Sequence, residues 1–185
     1  MAVSTKNALA SALKKMMEIK PLDKITVKDL VEICGVNRQT FYYHFDDVYD
    51  LLEWVFEEDA NRVLPKKVVY ENWRQDVAQW FKYLRENSTF ALNVYNSNNR
   101  QYMLRYIEGR MRGCISGFAD IVSEGMSIAK QDYDFIIDFY ACGVTGMISR
   151  WMDMGMPKIS EQDSERFLMI LDNSVENMLA RFEKK

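Results

Sequence analysis

The sequence predicts an all-α protein of two domains. Apolar residues recur at helical spacing along most of its 185 residues, only three prolines and eight glycines interrupt them, and no strand-like alternation persists. The N-terminal part, residues 1–50, has the pattern of three short helices. Residues 51–185 are predicted to form a second, larger helical domain, entered through a helix over about residues 47–63.

The segment from Ile25 to Leu52 contains two short helices joined by a tight turn. Thr26 is placed to cap the first helix, and Asp29 stands at its third position, where a carboxylate favours the positive end of the helix dipole. Gly35 is expected to end this helix in a left-handed conformation, and Asn37 is expected to cap the next one. The pattern predicts a helix-turn-helix.

The second helix of this pair has a polar and aromatic outer face. Phe41 and Phe45 lie four residues apart and are predicted to be buried. The remaining positions carry amide, hydroxyl, aromatic and basic groups, which is unusual for a helix that only faces solvent. Such a face suits the DNA major groove. A compact helical hairpin without DNA binding is the alternative.

The segment resembles the N-terminal DNA-binding domain of the TetR family of bacterial transcription regulators. The resemblance rests on the sequence motifs TVKDLVEICGV, TFYYHF and DLL and covers roughly residues 5 to 55. Arg reads guanine and Gln reads adenine bidentately, and hydroxyl and imidazole groups suit phosphate oxygens. The resemblance implies phosphate contacts by Thr26 and Lys28, base contacts by Arg38, Gln39 and Thr40, and sugar-phosphate packing by Tyr42, Tyr43 and His44.

The turn after the TFYYHF motif departs from the family pattern. Asp46, Asp47 and Val48 stand where family members often carry a Lys, so one expected phosphate contact is missing. Asp47 is predicted to cap the next helix instead. The wording FDDVYDLL also resembles the branch of the family that regulates dihydroxyacetone-kinase operons. The missing Lys keeps a second function open, a helical protein-interaction module or co-regulator with weak DNA binding.

The charge of the chain is divided unequally between its two parts. The formal net charge is -3. Residues 1–45 hold seven basic and four acidic residues, a net of +3, which leaves 17 basic and 23 acidic residues, a net of -6, in residues 46–185. The basic part is the part expected to meet DNA phosphates.

Several function classes are disfavoured. A single histidine excludes multi-histidine metal sites, and the chain has no G-x-S-x-G, P-loop, G-x-G-x-x-G or metal-spaced Cys/His cluster. We therefore expect no enzyme, no catalytic residue, no metal and no cofactor. No signal peptide is apparent, and no apolar run approaches the roughly 20 residues of a membrane span. Three scattered cysteines, predicted as small core residues, suit a reduced, cytoplasmic protein.

Two helices near the C-terminus carry surplus apolar surface. One is predicted over residues 131–154 and is apolar around most of its circumference, and the other, over about 160–183, has the spacing of a helix-pairing seam. A four-helix interface of a homodimer is predicted, which would read a palindromic operator. Closure of the core within one chain is the alternative. The predicted interface residues are Met147, Trp151, Leu168, Leu171, Val175, Met178 and Phe182.

The family resemblance also implies a small-molecule pocket in the C-terminal domain. Aromatic groups with a few polar tips suit a partly apolar ligand, and an Arg is placed to meet an acidic group. Each such residue is alternatively ordinary core, and a partner protein is an alternative effector. Repression is the expected mode of action, although the sequence does not distinguish it from activation. The candidate pocket residues are Trp80, Phe81, Tyr106, Arg110, Phe139 and Tyr140.

Overall fold

A computed structural model describes residues 5–63, 73–171 and 174–183. The described residues form ten α-helices, with one 3-10 turn at Leu22–Lys24 and one isolated bridge between Ile128 and Glu183, so the all-α prediction is confirmed. The helices are α1 (Thr5–Met17), α2 (Val27–Cys34), α3 (Arg38–Tyr42), α4 (Val48–Val63), α5 (Trp73–Glu86), α6 (Ser88–Tyr95), α7 (Arg100–Val122), α8 (Lys130–Asp153), α9 (Glu161–Leu171) and α10 (Ser174–Arg181).

The contacts between residues divide the chain into two compact units. The N-terminal unit comprises Met1–Pro65 and Glu86–Arg100, and the C-terminal unit comprises Lys66–Arg85 and Gln101–Lys185. The units differ from the predicted division at residue 50, because α4 and α6 both join the N-terminal unit. The chain therefore passes from one unit to the other at three places, and the helix over 47–63 is not the single connection.

Helix α4 joins the N-terminal unit because its inner face completes that unit's core. Leu51, Leu52 and Val55 are each at most 1 % exposed, and α4 contacts α1. Asp59 is also buried, and its carboxylate accepts a hydrogen bond of 2.5 Å from Lys14 Nζ of α1. A buried carboxylate is costly without such a partner, so this pair fixes the register of α1 along α4.

Helix α6 has no counterpart in the sequence prediction, and a single asparagine ties it to the end of α1. Asn93 Nδ2 donates to the carbonyl oxygens of Met17 and Lys20 at 2.7 and 2.9 Å. Asn93 Oδ1 accepts from the amide of Leu22 at 2.7 Å. The last carbonyls of a helix have no partner within the helix, and one side-chain amide supplies donors here. This contact recruits residues 86–100 to the N-terminal unit.

The core of the C-terminal unit lies between α7, α8 and α10. Ala119, Ile136, Ile137, Val175 and Leu179 form its buried cluster. Val175, predicted for the homodimer seam, is 4 % exposed in this cluster and so serves the core of a single chain. At the surface, Arg112 of α7 donates from Nε to Asp138 at 2.6 Å and from an outer guanidinium nitrogen to Asp134 at 3.3 Å, which ties α7 to α8.

We predict that Asn93→Ala destabilises the protein by about 1–3 kcal/mol, because three backbone groups lose a partly buried partner at once. Urea unfolding followed by circular dichroism measures the change. Asn98→Ala is the matched control, since it removes one side-chain hydrogen bond of 3.1 Å to Asp23 at an exposed position and is expected to cost less. Equal stability of the Asn93→Ala variant and the parent protein would contradict the assigned role.

Candidate nucleic-acid interface

The first helix of the helix-turn-helix begins with a complete capping box. Thr26 Oγ1 accepts from the Asp29 amide at 3.3 Å, and Asp29 Oδ2 accepts from the Thr26 amide at 2.8 Å, as predicted. Lys20 Nζ donates to the same carboxylate at 2.7 Å. The hydrogen bonds from Lys20 and Thr26 lower the pKa of Asp29 to about 2. The start of α2 is therefore held by a carboxylate that stays ionised across the physiological range.

The turn between α2 and α3 has the predicted conformation. Gly35 has a φ of 63°, a left-handed conformation that costs glycine little. Asn37 caps α3, and its Oδ1 accepts from the Thr40 amide at 2.7 Å and from the Thr40 hydroxyl at 3.0 Å. The hydroxyl proton of Thr40 is thus already donated inside the protein, which leaves the oxygen as an acceptor.

Helix α3 buries one face and exposes the other. Phe41 and Phe45 are at most 3 % exposed, which confirms that prediction. Tyr42 and Tyr43 are 56 % and 83 % exposed, large values for aromatic side chains. The half-buried ring of His44 packs edge-on against Tyr43 with centroids 4.9 Å apart. The structure therefore presents these aromatic groups together at the end of α3.

The two predicted base readers stand free on the surface at the start of α3. Arg38 and Gln39 are exposed, and in the part of the chain that the structure describes neither side chain forms a hydrogen bond or ion pair. Lys28, predicted to approach a phosphate, is also exposed and lies 3.8 Å from the carboxylate of Glu32, an exposed pair of little energy. These side chains are available to an external partner without breaking a strong contact.

The acidic turn that follows α3 serves the beginning of α4. Asp47 Oδ1 accepts from the amides of Tyr49 and Asp50 at 2.7 and 2.9 Å, so the predicted cap is confirmed. Asp50 Oδ2 in turn accepts from the Asp46 amide at 2.9 Å. Amides that a phosphate would otherwise bind at this helix start are occupied by the protein's own carboxylates.

Lys6, which no sequence motif singled out, lies beside this turn. Its Nζ is 5.2 Å from the ring centroid of Phe45 and 5.7 Å from that of Trp54, and it pairs with no described carboxylate. Lys6 lies by Trp54 and Lys14 by Asp59, so α1 and α4 run in the same direction. The start of α1 is therefore near the start of α4. In the sequence, the only sign of this role was a basic residue ahead of the first apolar positions of α1, and that pattern alone is not specific.

The predicted ligand-pocket residues do not gather at one described cavity. A groove of about 440 Å³ in the C-terminal unit is lined by Phe81 and by none of the other five. Trp80 is buried, Phe139 is 65 % exposed, and Tyr106, Arg110 and Tyr140 are half-buried. Arg110 Nε is buried without a hydrogen-bond partner among the described residues, so its predicted role stays a prediction.

The predicted dimer residues also separate into two groups. Trp151 and Val175 are buried within one chain, and Leu168, Leu171 and Met178 are half-buried. Met147 and Phe182 are exposed. The structure also exposes apolar side chains outside the predicted interface, of which only Phe139 was predicted for the ligand pocket: Phe135, Phe139, Met154, Met169 and Ile170. Cys142 is exposed rather than part of the core, while Cys34 and Cys114 are half-buried.

Neither a metal site nor a membrane span is found in the described ranges. Among residues 5–63, 73–171 and 174–183, no group of three or more His, Cys, Asp or Glu side chains is placed to hold a metal ion. None of the helices in these ranges is long and apolar enough to cross a membrane.

The geometry defines a helix-turn-helix DNA-binding regulator, and two sequence profiles match the chain. Residues 9–55 match "Bacterial regulatory proteins, tetR family", and residues 71–173, more than half of the chain, match "Transcriptional regulator C-terminal region". The chain belongs to the TetR family of bacterial transcription regulators. Proteins of this family regulate transcription, and the chain is not an enzyme.

Within the family, the chain is similar to regulators of dihydroxyacetone kinase operons. It is 29 % identical over 94 residues to the HTH-type dhaKLM operon transcriptional activator DhaS of Lactococcus lactis subsp. lactis (strain IL1403). That match spans 51 % of this chain and 50 % of the relative, about half of each. A solved structure, the dihydroxyacetone kinase operon activator DhaS, has the same fold, with a TM-score of 0.73 at 19 % identity over 99 % of this chain and 100 % of that one.

We predict that Lys6 contacts a DNA phosphate in place of the missing Lys after α3. Lys6→Gln should weaken binding equally for specific and random DNA and lower the slope of log affinity against log salt by about 0.9 for each protomer bound. Fluorescence anisotropy over a salt series measures both. Lys15→Gln, at the exposed far end of α1, is the control for charge alone. An unchanged slope with a lowered melting temperature would assign Lys6 to packing on Phe45 and Trp54.

Proposed function

We propose that the protein binds a palindromic operator as a homodimer and regulates transcription from it, with Arg38 and Gln39 as base readers. The observation that carries this proposal is that both side chains are exposed and have no partners among the described residues, while α3, which carries them, is held on the core. Phe41 and Phe45 hold that helix on the core, and Asn37 holds its start. Because the backbone of α3 is already fixed, its polar side chains can bind DNA without a large loss of backbone conformational entropy.

The neighbouring side chains divide between base and backbone contacts. Thr40 presents only oxygen lone pairs, because its proton is bound to Asn37, so it suits an amino group of adenine or cytosine. Its methyl group suits the methyl of thymine. Tyr42, Tyr43 and His44 offer hydroxyl and imidazole groups for phosphate oxygens at the end of α3.

At the start of α2, Lys28 is the available cation. Its ammonium is exposed, and its only close carboxylate among the described residues is Glu32 at 3.8 Å. Thr26 offers less, since its hydroxyl already donates to Asp29 at 2.8 Å. We therefore give Lys28 the main phosphate contact of this helix and leave Thr26 a positioning role through the cap.

A homodimer is supported by the exposed apolar stripe along α8. Phe135, Phe139 and Met147 follow one another at spacings of four and eight residues, and they are 70 %, 65 % and 52 % exposed. Gly143 lies between them with open space where a side chain would stand. Large apolar side chains this exposed on one helix face mark an interaction surface. A second copy of the chain, packed on α8, covers this stripe. Met147 and Phe182 are retained from the interface predicted from the sequence.

The mode of action that we propose is activation rather than the repression expected from the sequence. The relative from Lactococcus lactis and the solved structure with the same fold are both titled operon activators. Because the sequence match spans half of that relative, the regulated operon is a proposal as well. We infer a dihydroxyacetone kinase operon as the first target and the cytoplasm as the location.

The alternative of a protein-interaction module with weak DNA binding rested on the missing Lys and on the acidic turn at Asp46 and Asp47. The carboxylate of Asp47 caps α4, so its presence has a structural reason that does not require loss of DNA binding. Selection of bound sequences from a random DNA pool at modest salt discriminates the two functions. A palindrome with half-sites about one helical turn apart supports the operator proposal. No enrichment by a folded dimer supports the interaction module.

We predict that Arg38→Ala and Gln39→Ala each cost about 1–3 kcal/mol of binding free energy on the selected palindrome and less on random DNA. The two losses should fall on different base positions, since each side chain reads its own base. Anisotropy titrations with single-base variants of the site measure this. Lys15→Ala, exposed on α1 and outside the helix-turn-helix, is the control. Equal losses on specific and random DNA would restrict both residues to phosphate contacts.

We predict that Phe139→Asp weakens the homodimer at least tenfold, because a carboxylate would be buried against the partner's apolar surface. Sedimentation equilibrium measures the dissociation constant. Ile19→Asp is the matched control, since Ile19 is an apolar residue of the N-terminal unit that is 79 % exposed, against 65 % for Phe139. An unchanged dimer constant in a folded Phe139→Asp variant would move the interface away from this stripe.

A further inference from the structure

Lys20 lies where the end of α1 approaches the start of α2 in the N-terminal unit. It follows α1 by three residues, and its amide donates to the carbonyl oxygen of Met16 at 3.0 Å. Its own carbonyl oxygen accepts from Asn93 Nδ2 of α6 at 2.9 Å. Because both backbone groups of Lys20 are bonded, its side chain starts from a fixed point.

The ammonium of Lys20 reaches the carboxylate that caps α2. Lys20 Nζ is 2.7 Å from Asp29 Oδ2, and each of the two side chains is 29 % exposed. The pair of Lys28 and Glu32 on the same helix is longer, at 3.8 Å, and about two-thirds exposed. Water screens a short, largely covered ion pair less than a long, exposed one. The pair of Lys20 and Asp29 is therefore the one that can fix a geometry at the start of α2.

Three donors converge on the same oxygen of Asp29. The amide and the hydroxyl of Thr26 each donate to Oδ2 at 2.8 Å, and Lys20 Nζ donates at 2.7 Å. The reverse bond of the capping box, from the Asp29 amide to Thr26 Oγ1, is longer at 3.3 Å. The cap therefore depends chiefly on where the carboxylate is held. Of the three donors to this oxygen, only Lys20 comes from outside the box.

The charge of Asp29 also needs a partner at this place. Asp29 directly follows Lys28, at the helix start to which we assign a phosphate contact. The hydrogen bond from Lys20 is the largest cause of the low pKa of Asp29, about 2, so the carboxylate is charged at neutral pH. An unpaired carboxylate beside a phosphate repels it. Lys20 thus both orients this carboxylate and balances its charge.

We propose that Lys20 is a positioning residue for DNA binding, which holds the Asp29 cap and so sets the direction in which Lys28 leaves the first turn of α2 toward a phosphate. Lys20 does not itself bind DNA, because its ammonium is used by Asp29. This role rests on the proposed phosphate contact of Lys28. It adds a residue from the connection between α1 and α2 to those that determine DNA affinity.

The quantity that tests this role is the contribution of Lys28 to phosphate binding, with and without Lys20. On a duplex of random sequence, Lys28→Gln should lower the slope of log affinity against log salt by about 0.9 for each protomer bound. In a Lys20→Gln background the same substitution should lower the slope by less than half as much, because Lys28 is then no longer held at a phosphate. Fluorescence anisotropy over a salt series measures the four slopes.

The control and rescue variants separate positioning from a loss of charge or of the fold. Lys20→Arg keeps a cation that can donate to Asp29 and should restore the full effect of Lys28→Gln. Lys15→Gln removes the same charge from an exposed position on α1 and should leave that effect unchanged. Circular dichroism at the assay temperature establishes that each variant is folded.

Asp29→Asn is a second route to the same result. It removes the charge that Lys20 binds, while its amide oxygen can still accept from Thr26 and cap α2. If Lys20 acts through this carboxylate, Asp29→Asn should reduce the effect of Lys28→Gln as Lys20→Gln does. Adding Lys20→Gln to Asp29→Asn should then reduce it no further.

Two results would overturn the positioning role, and they are distinguishable. A full effect of Lys28→Gln in the folded Lys20→Gln variant would show that the two lysines act independently. An unchanged slope for Lys28→Gln in the parent protein would remove the phosphate contact of Lys28 itself, and the role of Lys20 with it. The second result is read without any change at Lys20, so failure of the proposed contact is seen separately from failure of the positioning role.

Discussion

The amide of Asn93 is the contact on which the organisation of this protein depends. It donates to two carbonyls at the end of α1 and accepts from the amide of Leu22, and so holds a helix from late in the chain in the N-terminal unit. Lys20, whose carbonyl is one of these acceptors, bonds through its ammonium to Asp29, which completes the cap of α2. Four short polar contacts thus join α6 to the first helix of the helix-turn-helix.

The reading surface combines a rigid support with free chemistry. Caps at Thr26, Asn37 and Asp47 fix three helix starts, and Phe41 and Phe45 fix the depth of α3 in the core. Such local contacts define the backbone without using the side chains that face outward. Substitutions of those outward-facing side chains can therefore alter the surface without loss of the fold. The acidic turn before α4 also has a local structural role, because a carboxylate that would be unfavourable beside DNA caps the start of a helix.

The C-terminal unit has more apolar surface than its own core requires, in a stripe and a groove that share Met147. The stripe of Phe135, Phe139 and Met147 lies exposed along α8, which suits a flat contact with a second copy. The groove around Phe81, Trp151 and Phe167 is concave, and Arg85 and Lys158 belong to its lining. Shape and charge, rather than hydrophobicity alone, distinguish the two surfaces.

The sequence by itself determined the all-α class, the helix-turn-helix and its three caps, because these depend on residues within four positions of one another, whose spacing is visible in the chain. The tertiary structure decided the rest. Asn93 meets α1 across more than seventy residues, and Val175 is buried against residues of α7 and α8 that are distant from it in the sequence. Lys6 and the groove were not foreseeable for the same reason: the contact of the Lys6 ammonium with the rings of Phe45 and Trp54, and the meeting of α5, α8 and α9, depend on packing that no local pattern encodes.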